Sequence, residues 1–218
     1  MPTTRYAPRH AETRRTGPRR RRRRIGPVRA IVLILLVLIA VRGLLHVTGL
    51  DRRFNVDHVP SWVSVQLVEV NGGGRRGEAI DRVTDIAIHY VGNPGTTAQQ
   101  NRDYYDQPDT PVSSHFVIGL DGEAIQCVPL TEKSSATNER NRDTISIEVC
   151  HPDESGQFTQ ASYDSLVRLT AWLCDEFGVD RGDVIRHYDV TGKLCPLYFV
   201  EHPEAWEQFL QDVEDYRE

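Results

Sequence analysis

The 218-residue sequence predicts an α/β domain, a central mixed β-sheet flanked by helices, preceded by one N-terminal transmembrane helix. Three observations carry that prediction. Short strand-like segments, alternating or rich in isoleucine, interleave with two long amphipathic helical patterns, the signature of helices layered on a sheet. One neighbouring pair of strands is joined by the tight-turn dipeptide Asp121-Gly122, so the sheet includes an antiparallel pair. A single uninterrupted apolar run also follows an arginine-rich arm.

The net charge of −5 hides two different objects: residues 1–50 hold 12 Arg, no Lys and one acid, whereas residues 51–218 hold 14 basic and 30 acidic residues, a net of −16. Residues 1–29, with Arg19 to Arg24 unbroken, repel themselves and bury nothing, so they are expected to form a disordered cytoplasmic arm. Ala30 to Val41 is a 12-residue apolar run. Alone it gives about 18 Å of helix against a hydrocarbon core of about 30 Å. Extension to Leu50 reaches about 31 Å and takes in Arg42, at a cost of about 2.5–3.5 kcal/mol if centred and less if it snorkels. Residues 30–50 therefore read as a single-pass signal-anchor at the cell membrane, arginines in the cytoplasm and the acidic domain outside. A cleaved signal peptide competes, although no clear small-x-small cleavage site follows. A nucleic-acid-binding arm also competes, but it leaves the apolar run unexplained, and an acidic domain argues against nucleic acid as partner.

Residues 51–62 read as a polar linker, and 63–218 as the folded domain. Val63 to Leu67 alternates as a half-buried strand does, and Asn71-Gly-Gly-Gly74 is a turn. Thr84 to Tyr90 is an isoleucine-rich strand with His89 near its end; after the Asn93-Pro-Gly break, Thr96 or Thr97 caps a helix to about Tyr105. Ser113 to Gly119 and Ala124 to Pro129 form the hairpin, residues 131–143 a polar loop, and Thr144 to Cys150 a strand alternating Ile145, Ile147 and Val149 against Thr144, Ser146 and Glu148. Gln160 to Phe177 is the clearest helix. Thr159 can cap it, Tyr163, Leu166, Val167, Thr170, Leu173 and Phe177 line one face, and Gly178 ends it. Val184 to His187 is a short strand, and Pro203 to Tyr216 a last helix anchored by Trp206, Phe209, Leu210 and Val213.

The chemistry concentrates in His187-Tyr-Asp-Val-Thr-Gly-Lys193-Leu-Cys195-Pro196. An imidazole and a thiol stand eight positions apart, and residues 188–194 can fold both back onto one ion. With His89 they make a three-ligand zinc set, one Zn2+ per chain, whose open fourth position is the pattern of a catalytic site. Zinc lowers the pKa of bound water to about 7 and polarises a carbonyl, which amide hydrolysis needs at neutral pH. Glu148, an acid in a strand otherwise rich in β-formers, is the candidate proton-transfer base; an exposed strand carboxylate is the plainer reading. Lys193 can set its ammonium on a developing oxyanion, worth about 3 kcal/mol, or it is an ordinary loop lysine. His115 either supports a metal ligand or contacts substrate, or it is a hydrogen-bonded strand histidine. Cys195 as a nucleophile is disfavoured, because Pro196 has no N–H for an oxyanion hole. Cys127 and Cys150, both on strands, are the one candidate disulfide, against the reading that they are small buried hydrophobes.

Residues about 64–214 resemble the zinc-dependent N-acetylmuramoyl-L-alanine amidases of the type 2 amidase family, which includes phage lysozyme-like amidases and peptidoglycan recognition proteins. The resemblance rests on Ile-Ala-Ile-His89-Tyr, Val-Ser-Ser-His115-Phe-Val-Ile-Gly-Leu-Asp-Gly-Glu, Asn141-Arg-Asp-Thr-Ile-Ser-Ile-Glu148-Val, and Arg-His187-Tyr-Asp-Val through Lys193-Leu-Cys195-Pro, in that order. It implies His89, His187 and Cys195 as zinc ligands in a surface groove. It also implies cleavage of the amide joining N-acetylmuramic acid to the L-alanine of the stem peptide, so that peptidoglycan peptide and glycan are the partners. Lys193 matches a family residue that stabilises the intermediate. Some members carry a catalytic Tyr where this chain has Ser114; others use a Glu in the Ile-x-Ile-Glu strand, the subset this chain resembles through Glu148. The rival expectation is a membrane-anchored peptidoglycan-binding module without catalysis. Recognition-only relatives usually lack the cysteine that this chain keeps.

Overall fold

The computed structural model describes residues 31, 32, 34–37, 40 and 58–217. Met1–Gly43 and Leu44–Glu218 are two separate compact units. In the first, the described residues are helical, with Ile31, Val32 and Ile34 to Val37 exposed. Among the described residues no helix is long and apolar enough to cross a membrane. The expected arm, both ends of the 30–50 span and most of the 51–62 linker lie outside the described residues.

The second unit is built on six strands: β1 (Val63–Val65), β2 (Asp85–Tyr90), β3 (Phe116–Ile118), β4 (Ala124–Gln126), β5 (Thr144–Val149) and β6 (Val184–Arg186). Their spatial order is β1-β4-β3-β5-β2-β6. Only the hairpin pair β3–β4 is antiparallel; β1–β4, β3–β5, β5–β2 and β2–β6 run parallel, so the sheet is mixed, as the sequence predicts. Among the described residues five α-helices accompany it: α1 (Ala98–Tyr105), α2 (Gln160–Phe177), α3 (His187–Thr191), α4 (Leu197–Glu201) and α5 (Pro203–Arg217).

Alternation along each strand decides what meets what. Ile86, Ile88, Phe116, Ile118, Ile145, Ile147 and Val149 point to one face, where they pack with Leu166, Leu169 and Leu173 of α2 and with Trp206, Phe209 and Val213 of α5. Full burial of a leucine of this kind contributes about 1.5–3 kcal/mol. The opposite face packs Val117, Ile125 and Cys127 against Ala98 and Tyr105 of α1. Local signals behave as their chemistry demands. Thr97, not Thr96, caps α1 in a reciprocal capping box with Gln100. Thr159 caps α2 by accepting from the Ser162 N–H, and Gly178 ends it in the left-handed region.

The structure departs from the sequence reading at several points. Strand β3 is narrower than Ser113–Gly119, since Ser113 instead makes an isolated bridge to Ser135. The 131–143 loop contains a 3-10 helix, Asn138–Arg142. Strand β6 stops at Arg186 because His187 opens α3, a turn too short for periodicity to reveal. On β5 the side carrying Thr144 and Ser146 is fully buried rather than solvated, because this strand is central and covered on both faces. Cys127 and Cys150 are buried free thiols in one apolar cluster, in agreement with the reading of them as small buried hydrophobes rather than a disulfide.

Candidate metal centre

The parity that sends Ile86 and Ile88 into the main core turns His89 to the other face, and the same holds for Glu148 beside Ile147. In the β2–β5 register His89 is the partner of Glu148. Both stand one residue from the carboxyl end of their strands, and His187 follows directly on β6. Three adjacent parallel strands thus deliver three functional side chains to one end of the sheet, where open α/β sheets bind ligands. The fourth arrives by chain reversal. Gly192 closes α3 at φ 77°, and the Tyr188 N–H donates to the Cys195 carbonyl at 2.9 Å, returning Cys195 beneath His89.

Candidate ligand atoms of His89, His187 and Cys195 all lie within 4.8 Å of one another, and all three residues are buried. His89 Nδ1 is 3.9 Å from Cys195 Sγ, and the two imidazole centroids are 4.7 Å apart. Ligands around a tetrahedral zinc sit about 3.3–3.6 Å apart, so this constellation fits such an ion with a small contraction. Two imidazoles and a thiol are also the borderline-soft donors that zinc prefers over hard cations.

Burial holds His89 well below the ordinary histidine range, helped by His187 and the Lys193 ammonium; His187 is lowered by burial and then by Lys193. Both are therefore neutral at neutral pH, the form that ligates. Burial pushes the Cys195 thiol up to about 12, the Glu148 carboxyl adding to the rise, while the Tyr90 backbone N–H and Lys193 pull it down.

Glu148 Oε1 lies 3.9 Å from His89 Nδ1, whereas Oε2 is buried without a hydrogen-bond partner. Desolvation raises this carboxyl to about 8, against the pull of Lys193. Yet 17% of the side chain remains accessible, and it opens onto a groove of about 940 Å³ that also reaches His187, Lys193, Arg76, Tyr90 and Asn138. A buried, unpartnered acid facing a groove is the arrangement of a proton-transfer group.

Of the residues singled out in the sequence, His89, His187, Cys195, Glu148 and Lys193 are brought together. His115 is not. It is fully buried: its Nδ1 accepts from the Ser146 N–H at 3.0 Å and its Nε2 donates to the Glu132 carbonyl at 2.9 Å, and it does not line the groove. Its contacts are those of the hydrogen-bonded strand histidine, with burial lowering its pKa to about 4. Sequence reasoning missed Thr137 and Asn138, whose side chains bond the outer nitrogens of His89 and His187. It also missed Arg76 and Tyr90 in the groove. Nothing in a polar 131–143 stretch marks two of its members as neighbours of residues some 50 positions away.

Comparisons with known proteins agree with this geometry. The family described as N-acetylmuramoyl-L-alanine amidase matches residues 80–197. The chain is 27% identical over 165 residues to the N-acetylmuramoyl-L-alanine amidase CwlL of Bacillus licheniformis, covering 68% of this chain and 45% of that one. It is 28% identical over 167 residues to BlyA of Bacillus subtilis (strain 168), covering 67% of this chain and 45% of BlyA. The chain thus spans about half the length of these curated relatives. The solved catalytic domain of XlyA superposes with a TM-score of 0.61 at 25% identity, over 69% of this chain and 98% of that domain.

Proposed function

The chain belongs to the N-acetylmuramoyl-L-alanine amidase family, and from that premise we propose that it is a zinc-dependent hydrolase of peptidoglycan, cutting the amide between N-acetylmuramic acid and the L-alanine of the stem peptide. The single observation that carries this reading is the convergence of His89, His187 and Cys195 beside Glu148 at the end of a groove. His89, His187 and Cys195 would hold the ion. Zinc bound there supplies a water acidified toward neutrality and a polarised scissile carbonyl.

The remaining work belongs to the chain's own side chains. Glu148 takes a proton from the attacking water and hands it to the leaving amine of L-alanine. Lys193, exposed at the groove, turns its ammonium toward the oxygen on which negative charge develops. The groove of about 940 Å³, lined by Glu148, His187 and Lys193, leaves room for a peptide running past the scissile bond.

A tether completes the proposal. The Arg-rich 1–29 segment and the apolar run from Ala30 support a single-pass anchor through residues 30–50, with the acidic domain on the outer side. Protease added to cells stripped of wall should digest the 51–218 domain; its protection would reverse this orientation.

The activity is tested by incubating the purified chain with purified cell wall. Release of free L-alanine amino termini, abolished by a chelator and restored by zinc, is the expected result. Binding to wall without amine release would instead make the chain a recognition module.

A further inference from the structure

One short loop touches both histidines of the candidate centre. The Thr137 hydroxyl lies 3.1 Å from His89 Nε2, and Asn138 Oδ1 lies 3.0 Å from His187 Nε2. The partners are consecutive residues, whereas His89 stands on β2 and His187 opens α3. Thr137 is completely buried, so a groove ligand has no access to it. Asn138 adopts φ 55°, a left-handed conformation that asparagine tolerates better than most residues.

The loop is braced to hold this geometry. Asn141 Oδ1 accepts from the backbone N–H groups of Ala136 at 3.0 Å and Thr137 at 2.6 Å. Thr144 Oγ1, on the first residue of β5, donates to the Arg140 carbonyl at 2.9 Å, and the Arg140 guanidinium bonds Asp85 at the start of β2 and Asp143. The loop is therefore tied to the two strands that carry His89 and Glu148.

We infer that Thr137 and Asn138 are paired positioning residues, which hold both imidazoles as Nε2–H tautomers and aim both Nδ1 lone pairs at one point beside Cys195 Sγ. A neutral imidazole carries one N–H and one lone pair; Asn138 Oδ1 can only accept, which sets His187 as Nε2–H, and the same accepting role is assigned to the Thr137 hydroxyl at His89. With oxygens accepting from both Nε2–H groups, both Nδ1 atoms are left to bind a cation. Such outer partners raise ligand basicity and remove the rotational freedom that binding would otherwise have to freeze. The inference rests on the zinc reading only for its consequence, not for its geometry.

The test uses the full chain. Nitrogen-15 NMR of the metal-free protein should show the Nε2–H tautomer for His89 and His187; an Nδ1–H tautomer on either overturns the inference. Zinc competition against a chromophoric chelator should give affinities about 10–100-fold weaker for Thr137→Val and for Asn138→Gly, the latter keeping a residue at ease with positive φ. Thr137→Ser and Asn138→Asp restore an acceptor and should restore affinity. Parental affinity in the Val and Gly variants refutes the assignment. A parent chain that binds no zinc would sink the metal reading instead, with the tautomer measurement still deciding this one.

Discussion

Replacing Glu148 with Gln tests the centre more sharply than removing a ligand, because it separates chemistry from metal binding. The carboxyl is raised from an ordinary 4.5 to about 8 by burial, and Oε2 has no partner. A raised acid pKa means that the folded chain holds a proton which the unfolded chain has released. The Glu148 contribution to metal-free stability is therefore full below about 4.5, is lost as pH rises to about 8, and levels off above that. Each pH unit in this window is worth about 1.4 kcal/mol, so the whole span amounts to at most about 5 kcal/mol. Between pH 6.5 and 8 the parent should lose about 2 kcal/mol relative to the Gln variant, because the histidine titrations are common to both proteins and cancel in the comparison. Urea unfolding of both metal-free proteins at the two pH values measures the difference directly. In turnover the same variant should fall about 10²–10⁴-fold, equivalent to about 2.7–5.5 kcal/mol of barrier, with zinc still bound. An identical pH slope in both proteins, or normal turnover by the variant, would refute the placement of Glu148 as the desolvated proton carrier.

Three further outcomes are expected. His187→Ala should lose both bound zinc and activity, and metal analysis finding one zinc per chain in the variant would overturn the ligand set. Lys193→Ala should keep its zinc and lose about 10²–10³-fold in kcat, read by steady-state kinetics on muropeptides. Leu169→Ala, in the α2 core and not among the residues lining the groove, should cost about 2–5 kcal/mol in denaturant unfolding while leaving kcat unchanged in the folded fraction.

Legibility in the sequence followed the range of the interactions involved. Helix α2 was readable to its ends, because Thr159, the apolar stripe and Gly178 act within one or two turns. Strand β2 was nearly so, through its isoleucines. Helices α3 and α4 are five residues each, shorter than any pattern with a period of 3.6 can establish, so His187 was read as the end of a strand rather than the start of a turn. Glu148 shows a different limit. Its polar neighbours on β5 suggested a wetted face, but whether a sheet face is wet depends on what packs over it.

By itself the sequence determined the kinds of chemistry available: two imidazoles, a thiol, an acid and a lysine on segments whose periodicity and caps set local shape. Charge distribution likewise separated an arginine-rich arm from an acidic domain without reference to any contact. Only the tertiary structure decided which nitrogen of each histidine faces its companions, that Glu148 loses its water, and that His115 spends both nitrogens on Ser146 and Glu132. The reason is physical. Propensity and periodicity act along the chain, whereas desolvation and hydrogen-bond partnership act through space, between residues that the register of β2, β5 and β6 brings side by side.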